Sequence, residues 1–107
     1  MVDGLPPGLK AYKRTPVFDQ ETVPAGLLRK HSTKAGVWAL IHVLEGRLRY
    51  RIIDPPSETI LTPDAPGIVR PQQLHEVEPI GKVQFYVEFH SAEPERGSPH
   101  LDDTIIQ

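Results

Sequence analysis

Short apolar stretches alternate with polar and turn-forming residues along most of the chain. The alternation is clearest in the segment LRYRI, where Leu48, Tyr50 and Ile52 are separated by arginines. Successive side chains of a β-strand point to opposite faces, so this spacing predicts a strand with one buried side. The same spacing recurs near the end of the chain, where apolar residues take every second position. These residues are Val83, Phe85, Val87 and Phe89.

Proline and glycine interrupt the chain so often that few windows could form a helix of ordinary length. There are 12 Pro and 8 Gly, and proline in a helix interior removes a hydrogen bond and clashes with the preceding turn. The segments between these breaks are rich in β-branched and aromatic residues. The pattern therefore predicts an all-β domain, a sandwich or a barrel. The predicted strands are 23–31, 37–44, 48–53, 58–61, 67–69, 75–77 and 83–89.

Length and charge narrow the class of protein further. A chain of 107 residues with a formal charge of −2 suits one domain and gives no reason to expect a nucleic-acid or membrane partner. We expect a core at about 12–90, an extended arm at 1–11 and a polar tail at 91–107. The N-terminus lacks the apolar region of a signal peptide, so we expect a cytoplasmic protein. Without cysteine, any metal would need imidazole and oxygen ligands.

Two motifs carry a resemblance to a known family. The segment HVLEGRLRYRI resembles the end of the first cupin motif, and PGIVRPQQLHEVEPIG resembles the second. The cupin resemblance covers about residues 17–90. More narrowly, the stretch from Tyr12 to Ile52, together with PQQLHEVEP and VQFYVEF, resembles the small cupin family related to the N-terminal domain of TehB tellurite-resistance proteins. The resemblance implies a single cupin domain, a jelly-roll barrel also described as a double-stranded β-helix. It also implies a link to tellurite or stress resistance.

The resemblance further implies a metal site inside the barrel. His31 matches the first ligand of the first motif, and His75 matches the ligand of the second motif. Thr33 stands where the first motif would carry a second His, and Ala39 stands about where it would carry a Glu. Two of the four expected ligands are therefore missing, and a third donor is needed to hold a divalent ion.

Glu88 is our first choice for that third ligand. A carboxylate within an apolar strand is costly unless a cation or a hydrogen-bond donor compensates it. Strict alternation places Glu88 on the face opposite Val87 and Phe89, and only a bulge or a strand buried on both sides would turn it inward. Glu78 is the second choice, and His42 is interpreted as a structural residue on the outer face. The full set of alternatives is Glu78, Glu76 and His42.

The expected function follows from this ligand set. We expect a divalent metal held by His31, His75 and Glu88, most readily Zn²⁺, with Fe²⁺, Ni²⁺ or Mn²⁺ as alternatives. The site would bind a small-molecule ligand. The alternative is a non-catalytic sensor or interaction module with a structural metal or none. No motif assigns a reaction or a catalytic residue.

Two further expectations concern the surface. A small jelly roll leaves sheet edges to cover, and Leu5, Leu9 and Tyr12 of the arm offer apolar contacts to a neighbour, so we expect a homodimer. A stripe of alternating arginines indicates a solvated sheet face, with a subunit contact or an anion site as the alternatives. The stripe consists of Arg47, Arg49 and Arg51.

Overall fold

The computed structural model describes residues 5–92, and within them it confirms the all-β class. The only helical element in this range is one 3₁₀ turn, and no helix there is long and apolar enough to cross a membrane. The elements are β1 (Lys10–Arg14), β2 (Phe18–Asp19), the 3₁₀ turn (Ala25–Leu27), β3 (Trp38–Ile52), β4 (Ser57–Leu61), β5 (Gly67–Val69) and β6 (His75–Ser91).

Two long antiparallel strands, β3 and β6, form the centre of a single sheet. They pair along their whole length, from Trp38 opposite His90 to Ile52 opposite His75. The strand order is β1-β6-β3-β4, while β2 adds to β6 and β5 adds to β3. Within residues 5–92 the outer strands β1 and β4 do not pair with each other, so the hydrogen-bonded sheet is open. The antiparallel all-β architecture is confirmed, whereas closure into a jelly-roll barrel is not shown.

Each long strand replaces two strands of the sequence prediction. The expected break at Gly46 is a bulge, where the register with β6 shifts but pairing continues. Gly46 has a φ of +85°, a left-handed conformation that glycine adopts readily. A Cβ at this position would collide with the backbone carbonyl oxygen of Lys82. Both the conformation and the close approach of β6 therefore require glycine here.

The core consists of the side chains that the alternating pattern assigns to the buried face. Leu48 and Phe85 are fully buried, Tyr50 is buried, and Ile52 is partly buried against the same cluster. The prediction that these alternating residues form the core is confirmed. Elements that the pattern did not identify also contribute to it. They are β2 and the 3₁₀ turn, through Phe18 and Leu27.

The first third of the chain differs most from the prediction. Residues 23–31 were expected to form a strand, but they contain the 3₁₀ turn and a single β-bridge at His31. The predicted arm already enters the sheet at Lys10, which pairs with Ser91. Pairing with β6 supplies the hydrogen bonds that make this polar segment a strand, and sequence alternation alone does not reveal it. Most of the predicted tail, from residue 93, lies outside the described residues.

Candidate functional site

His31 and His75 come from distant parts of the chain and meet at one end of the sheet. They form an antiparallel bridge in which each backbone N–H donates to the other's carbonyl oxygen, both at 2.9 Å. Their imidazole rings lie 4.1 Å apart, centroid to centroid, with 59° between the planes. His75 is almost fully buried and His31 is half-buried. The structure thus brings together the two histidines that the motifs identified.

The hydrogen bonds of the two rings determine which nitrogen carries the proton. The Nδ1 atom of His31 lies 2.7 Å from the carbonyl oxygen of Arg29, and that of His75 lies 2.8 Å from the carbonyl oxygen of Gln73. A carbonyl oxygen can only accept, so Nδ1 is the donor in both rings. In the neutral state each Nε2 is then an unprotonated acceptor.

Burial keeps both rings neutral at physiological pH. Desolvation, together with the neighbouring His31, lowers the pKa of His75 to about 4. Desolvation also lowers the pKa of His31, although the Arg29 carbonyl opposes this effect. The ring of Tyr50 meets His75 edge-on at 5.7 Å between centroids and helps to exclude water from it. The pair therefore presents two uncharged hydrogen-bond acceptors.

The two imidazoles line a small apolar cavity. Its volume is about 10 Å³, which is close to the space that one water molecule requires. Thr15 also contributes to the wall, but its hydroxyl donates to the Pro16 carbonyl at 2.8 Å and accepts from the Val87 amide at 3.0 Å. The two histidines are thus the titratable groups of this wall. The apolar part of the wall includes Leu27, Ile41, Val69, Val77, Phe85 and Phe89.

Glu88 lies on the opposite face of the sheet. Pairing with β3 is regular around it, with no bulge to reverse its direction, and its neighbour Val87 is buried. Its Oε1 atom accepts hydrogen bonds from Nε2 of His42 at 3.3 Å and Nε2 of His90 at 3.1 Å. Partial burial raises the pKa of the Glu88 carboxyl, but the bonds from His90 and His42 outweigh this effect and lower it overall. His42 itself stacks on Tyr86 with centroids 4.8 Å apart.

The other candidate carboxylates belong to a network of charges on the exposed face. Arg51 bonds to Glu76 at 2.7 Å, to Glu78 at 3.0 Å and to Glu58 at 3.2 Å. Arg49 bonds to Glu58 at 2.7 Å. Two arginines of the predicted stripe therefore face three glutamates, as suits a solvated sheet face. Glu76 also acts on His31 through its charge, which opposes the lowering of the His31 pKa.

The prediction of a divalent metal is wrong. Within residues 5–92 no three His, Cys, Asp or Glu side chains are grouped so that they could hold an ion. The reason is the alternation of the strands, which directs Glu88 to the face away from His31 and His75. The histidine pair alone cannot supply the three or four protein ligands of a zinc site. The same argument applies to the Fe²⁺, Ni²⁺ and Mn²⁺ alternatives.

Two residues near the pair have roles that sequence reasoning missed. The Tyr50 hydroxyl donates to the Ile68 carbonyl at 2.8 Å, and burial raises the pKa of that hydroxyl to about 12. Thr33, which stands in place of a motif histidine, is buried, and its hydroxyl donates to the Val37 carbonyl at 2.7 Å. The sequence offered one signal for each residue. Tyr50 is a tyrosine at a position of the apolar face, and Thr33 is a threonine at a position where the motif carries a histidine.

Comparison with known proteins identifies relatives of this chain. Residues 13–87 match the model of the TehB-like domain family. Over 75 residues the chain is 36% identical to a Haemophilus influenzae strain Rd protein described as "Probable S-adenosyl-L-methionine-dependent methyltransferase TehB". The protein of that name from a second strain is 35% identical. Each match covers 65% of this chain but 26% of the relative, so the chain spans about a quarter of its relatives' length.

Solved structures show the same fold. The crystal structure of TehB from Haemophilus influenzae superposes with a TM-score of 0.74 and 26% identity, covering 87% of this chain and 36% of that one. A crystal structure of a protein from Escherichia coli strain K12 gives a TM-score of 0.77 at 22% identity, a likeness of fold alone. It covers 86% of this chain and 98% of the other. The two Haemophilus influenzae relatives are named as probable methyltransferases and not as metal-binding cupins. Together with the lack of an ion-holding group in residues 5–92, this contradicts the predicted metal-binding function.

Proposed function

Because the chain belongs to the TehB-like domain family, we propose that it is a β-domain that binds a small uncharged ligand at the His31–His75 pair. One observation carries the proposal: two neutral imidazoles, each with its Nδ1 occupied by a backbone carbonyl, border the same apolar cavity. Unprotonated Nε2 atoms accept hydrogen bonds, so the ligand must donate them.

The size and polarity of the cavity restrict the ligand class. About 10 Å³ admits one hydroxyl or amino group rather than a whole molecule. His31 is only half-buried, so the rest of the ligand would lie on its exposed side. An anion would meet two acceptor atoms and a low-dielectric wall, both of which disfavour negative charge. The proposal therefore favours amides and alcohols over carboxylates.

We also propose that residues 12–90 form one domain in which the open sheet curls into a cupin-type barrel around this cavity. The supporting observation is that inward side chains from β3, β5 and β6 all line the same small space, together with Leu27. The matching segment covers only 26% of the length of the Haemophilus influenzae relative that is named as a methyltransferase. We do not assign the methyl transfer in that protein's name to this chain.

A titration with two probes of equal size tests the binding proposal. Formamide donates hydrogen bonds and is neutral, whereas formate is an anion of nearly the same shape. We expect formamide to shift the Nε2 resonances of His31 and His75 saturably in nitrogen-15 NMR spectra, and formate to leave them unchanged. His31→Phe should abolish the response at His75. His42→Phe, on the outer face, is the matched control and should preserve it.

Two outcomes would contradict the proposal. Formamide that leaves both Nε2 resonances unchanged would show that the pair is not an acceptor site for external donors. Equal responses to formamide and formate would show that charge and donor capacity do not govern access to the cavity.

A homodimer is the third part of the proposal. Within residues 5–92 strand β4 pairs only with β3, so its other edge is open, and Ile60 on this strand is 37% exposed. Open edges readily pair with a second chain. Analytical ultracentrifugation should show a dimer that Ile60→Lys converts to a monomer, and a wild-type monomer at high protein concentration would contradict it.

A further inference from the structure

A groove beside the turn between β3 and β4 is separate from the histidine cavity and shares no lining residue with it. Its volume is about 450 Å³, within the range of about 300–1,000 Å³ that small-molecule sites occupy. The histidine cavity, by contrast, has room for a single small group. The groove is lined by Ile52, Pro55, Pro56, Ser57, Ile68, Arg70 and Gln73.

The lining combines an apolar surface with a few polar groups. Two isoleucines and two prolines provide the apolar part, which would pack against a hydrocarbon chain. Ser57, Arg70 and Gln73 provide hydroxyl, guanidinium and amide groups. Mostly apolar walls with a small number of polar groups are typical of sites that bind and orient small molecules.

Arg70 gives the groove a positive charge. No carboxylate lines the groove, and among residues 5–92 the Arg70 guanidinium has no ion-pair or hydrogen-bond partner. The neighbouring arginines of the sheet differ in this respect, because Arg49 and Arg51 are neutralised by glutamates. A guanidinium presents paired N–H donors that match the two oxygens of a carboxylate.

We propose that this groove binds a small organic acid, with its carboxylate on Arg70 and a short apolar chain against Ile52 and Ile68. Gln73 and Ser57 would supply further donors to the carboxylate. The proposal does not depend on the function of the histidine pair, because that pair favours uncharged donors and lies in a different cavity.

Calorimetric titration with hexanoate tests the proposal. We expect saturable binding to the wild-type protein, and binding to Arg70→Gln that is weaker by about tenfold or more, since a charge-assisted bidentate contact is lost. Arg47→Gln is the matched control. It removes the same charge from an exposed arginine that does not line the groove, and should leave hexanoate binding unchanged.

Hexanamide distinguishes recognition of the acid from simple partition of the apolar chain. It has the same chain length without the charge, and we expect it to bind at least about tenfold more weakly than hexanoate. Equal affinities for the two probes would overturn the proposal. So would an absence of saturable hexanoate binding, or equal losses in Arg70→Gln and Arg47→Gln, which would indicate attraction by net charge alone.

Discussion

His31 and His75 exchange both of their backbone hydrogen bonds at 2.9 Å, so the first residue of β6 is fixed directly against the segment that follows the 3₁₀ turn. A hydrogen-bonded antiparallel bridge sets the distance between the Cα atoms of its two residues. The imidazoles are thereby held in contact although 43 residues separate them in sequence. The geometry of the pair is a property of the backbone and does not require a bound ion.

Acid should destabilise the protein through His75. Its pKa falls from 6.5 to about 4 in the folded state, so between these values the unfolded chain binds a proton that the folded chain does not. The contribution of His75 to the free energy of unfolding should therefore be fully present above pH 6.5. It should decrease by about 3 kcal/mol as the pH falls toward 4. Urea denaturation across this range measures the change.

The variant His75→Gln isolates this contribution from that of the carboxylates. Glutamine does not titrate, whereas every acidic residue remains. The variant should lose less stability than the wild type between pH 6.5 and 5, whatever its stability at neutral pH. Parallel pH profiles for the two proteins would show that His75 is not the group responsible.

Removing the Tyr50 hydroxyl should destabilise the fold measurably. Tyr50→Phe leaves the Ile68 carbonyl without the donor that it has at 2.8 Å, which costs about 1 kcal/mol. Tyr86→Phe is the matched control, because Tyr86 interacts through its ring, stacked on His42. We expect the control to change the free energy of unfolding by less than about 0.5 kcal/mol. Similar losses in both variants would argue against a specific role for the Tyr50 hydrogen bond.

Alanine should be tolerated at one left-handed glycine and not at another. Gly36→Ala places a Cβ in open space at a φ of +80° and should cost about 1 kcal/mol. Gly46→Ala adds a collision with the Lys82 carbonyl to the same backbone strain, and should cost about 3 kcal/mol or more. Thermal unfolding of the two variants measures the two losses of stability. Equal losses would mean that the backbone at the bulge rearranges to accept the Cβ without an energetic penalty.

The acidity of Glu88 should depend on its histidine partners. His90→Ala removes the donor at 3.1 Å but leaves Glu88 partly buried. Desolvation then acts with less opposition, so the pKa of the Glu88 carboxyl should rise. Carbon-13 NMR of the side-chain carboxyl follows the titration. His31 lies on the other side of the sheet, so His31→Ala should leave the pKa of Glu88 unchanged. An equal rise of the Glu88 pKa in both variants would indicate a global effect of net charge.

The core residues could be predicted from the sequence because the pattern that marks them is local. Leu48 and Tyr50 belong to a run in which apolar and polar residues strictly alternate, and Phe85 belongs to a run with an apolar residue at every second position. Both patterns follow directly from strand geometry. The joining of strands at Gly46 was not accessible in the same way. A glycine between two apolar runs is compatible with either a turn or a bulge, and only the partner strand decides between them.

The candidate site was accessible only in part. His31 and His75 were identified from motif positions, and the structure places them side by side. Glu88 was chosen because a buried charge needs compensation, and it does receive compensation, from His42 and His90. The expectation that the partly buried Glu88 charge needs compensation was therefore correct, but the sequence did not identify the compensating residues. Identifying them requires the pairing of β3 with β6, which is a long-range property that no local pattern encodes.

The full-length pairing of β3 with β6 also bears on the order in which the chain folds. Ile52 and His75 are separated by 23 positions, whereas Trp38 and His90 are separated by 52. Closing the longer loop costs about 0.7 kcal/mol more chain entropy than closing the shorter one. Pairing should therefore start at the end that holds the histidines and proceed toward Trp38. Because most contacts in such a sheet are distant in sequence, folding on a scale of about milliseconds to seconds is expected.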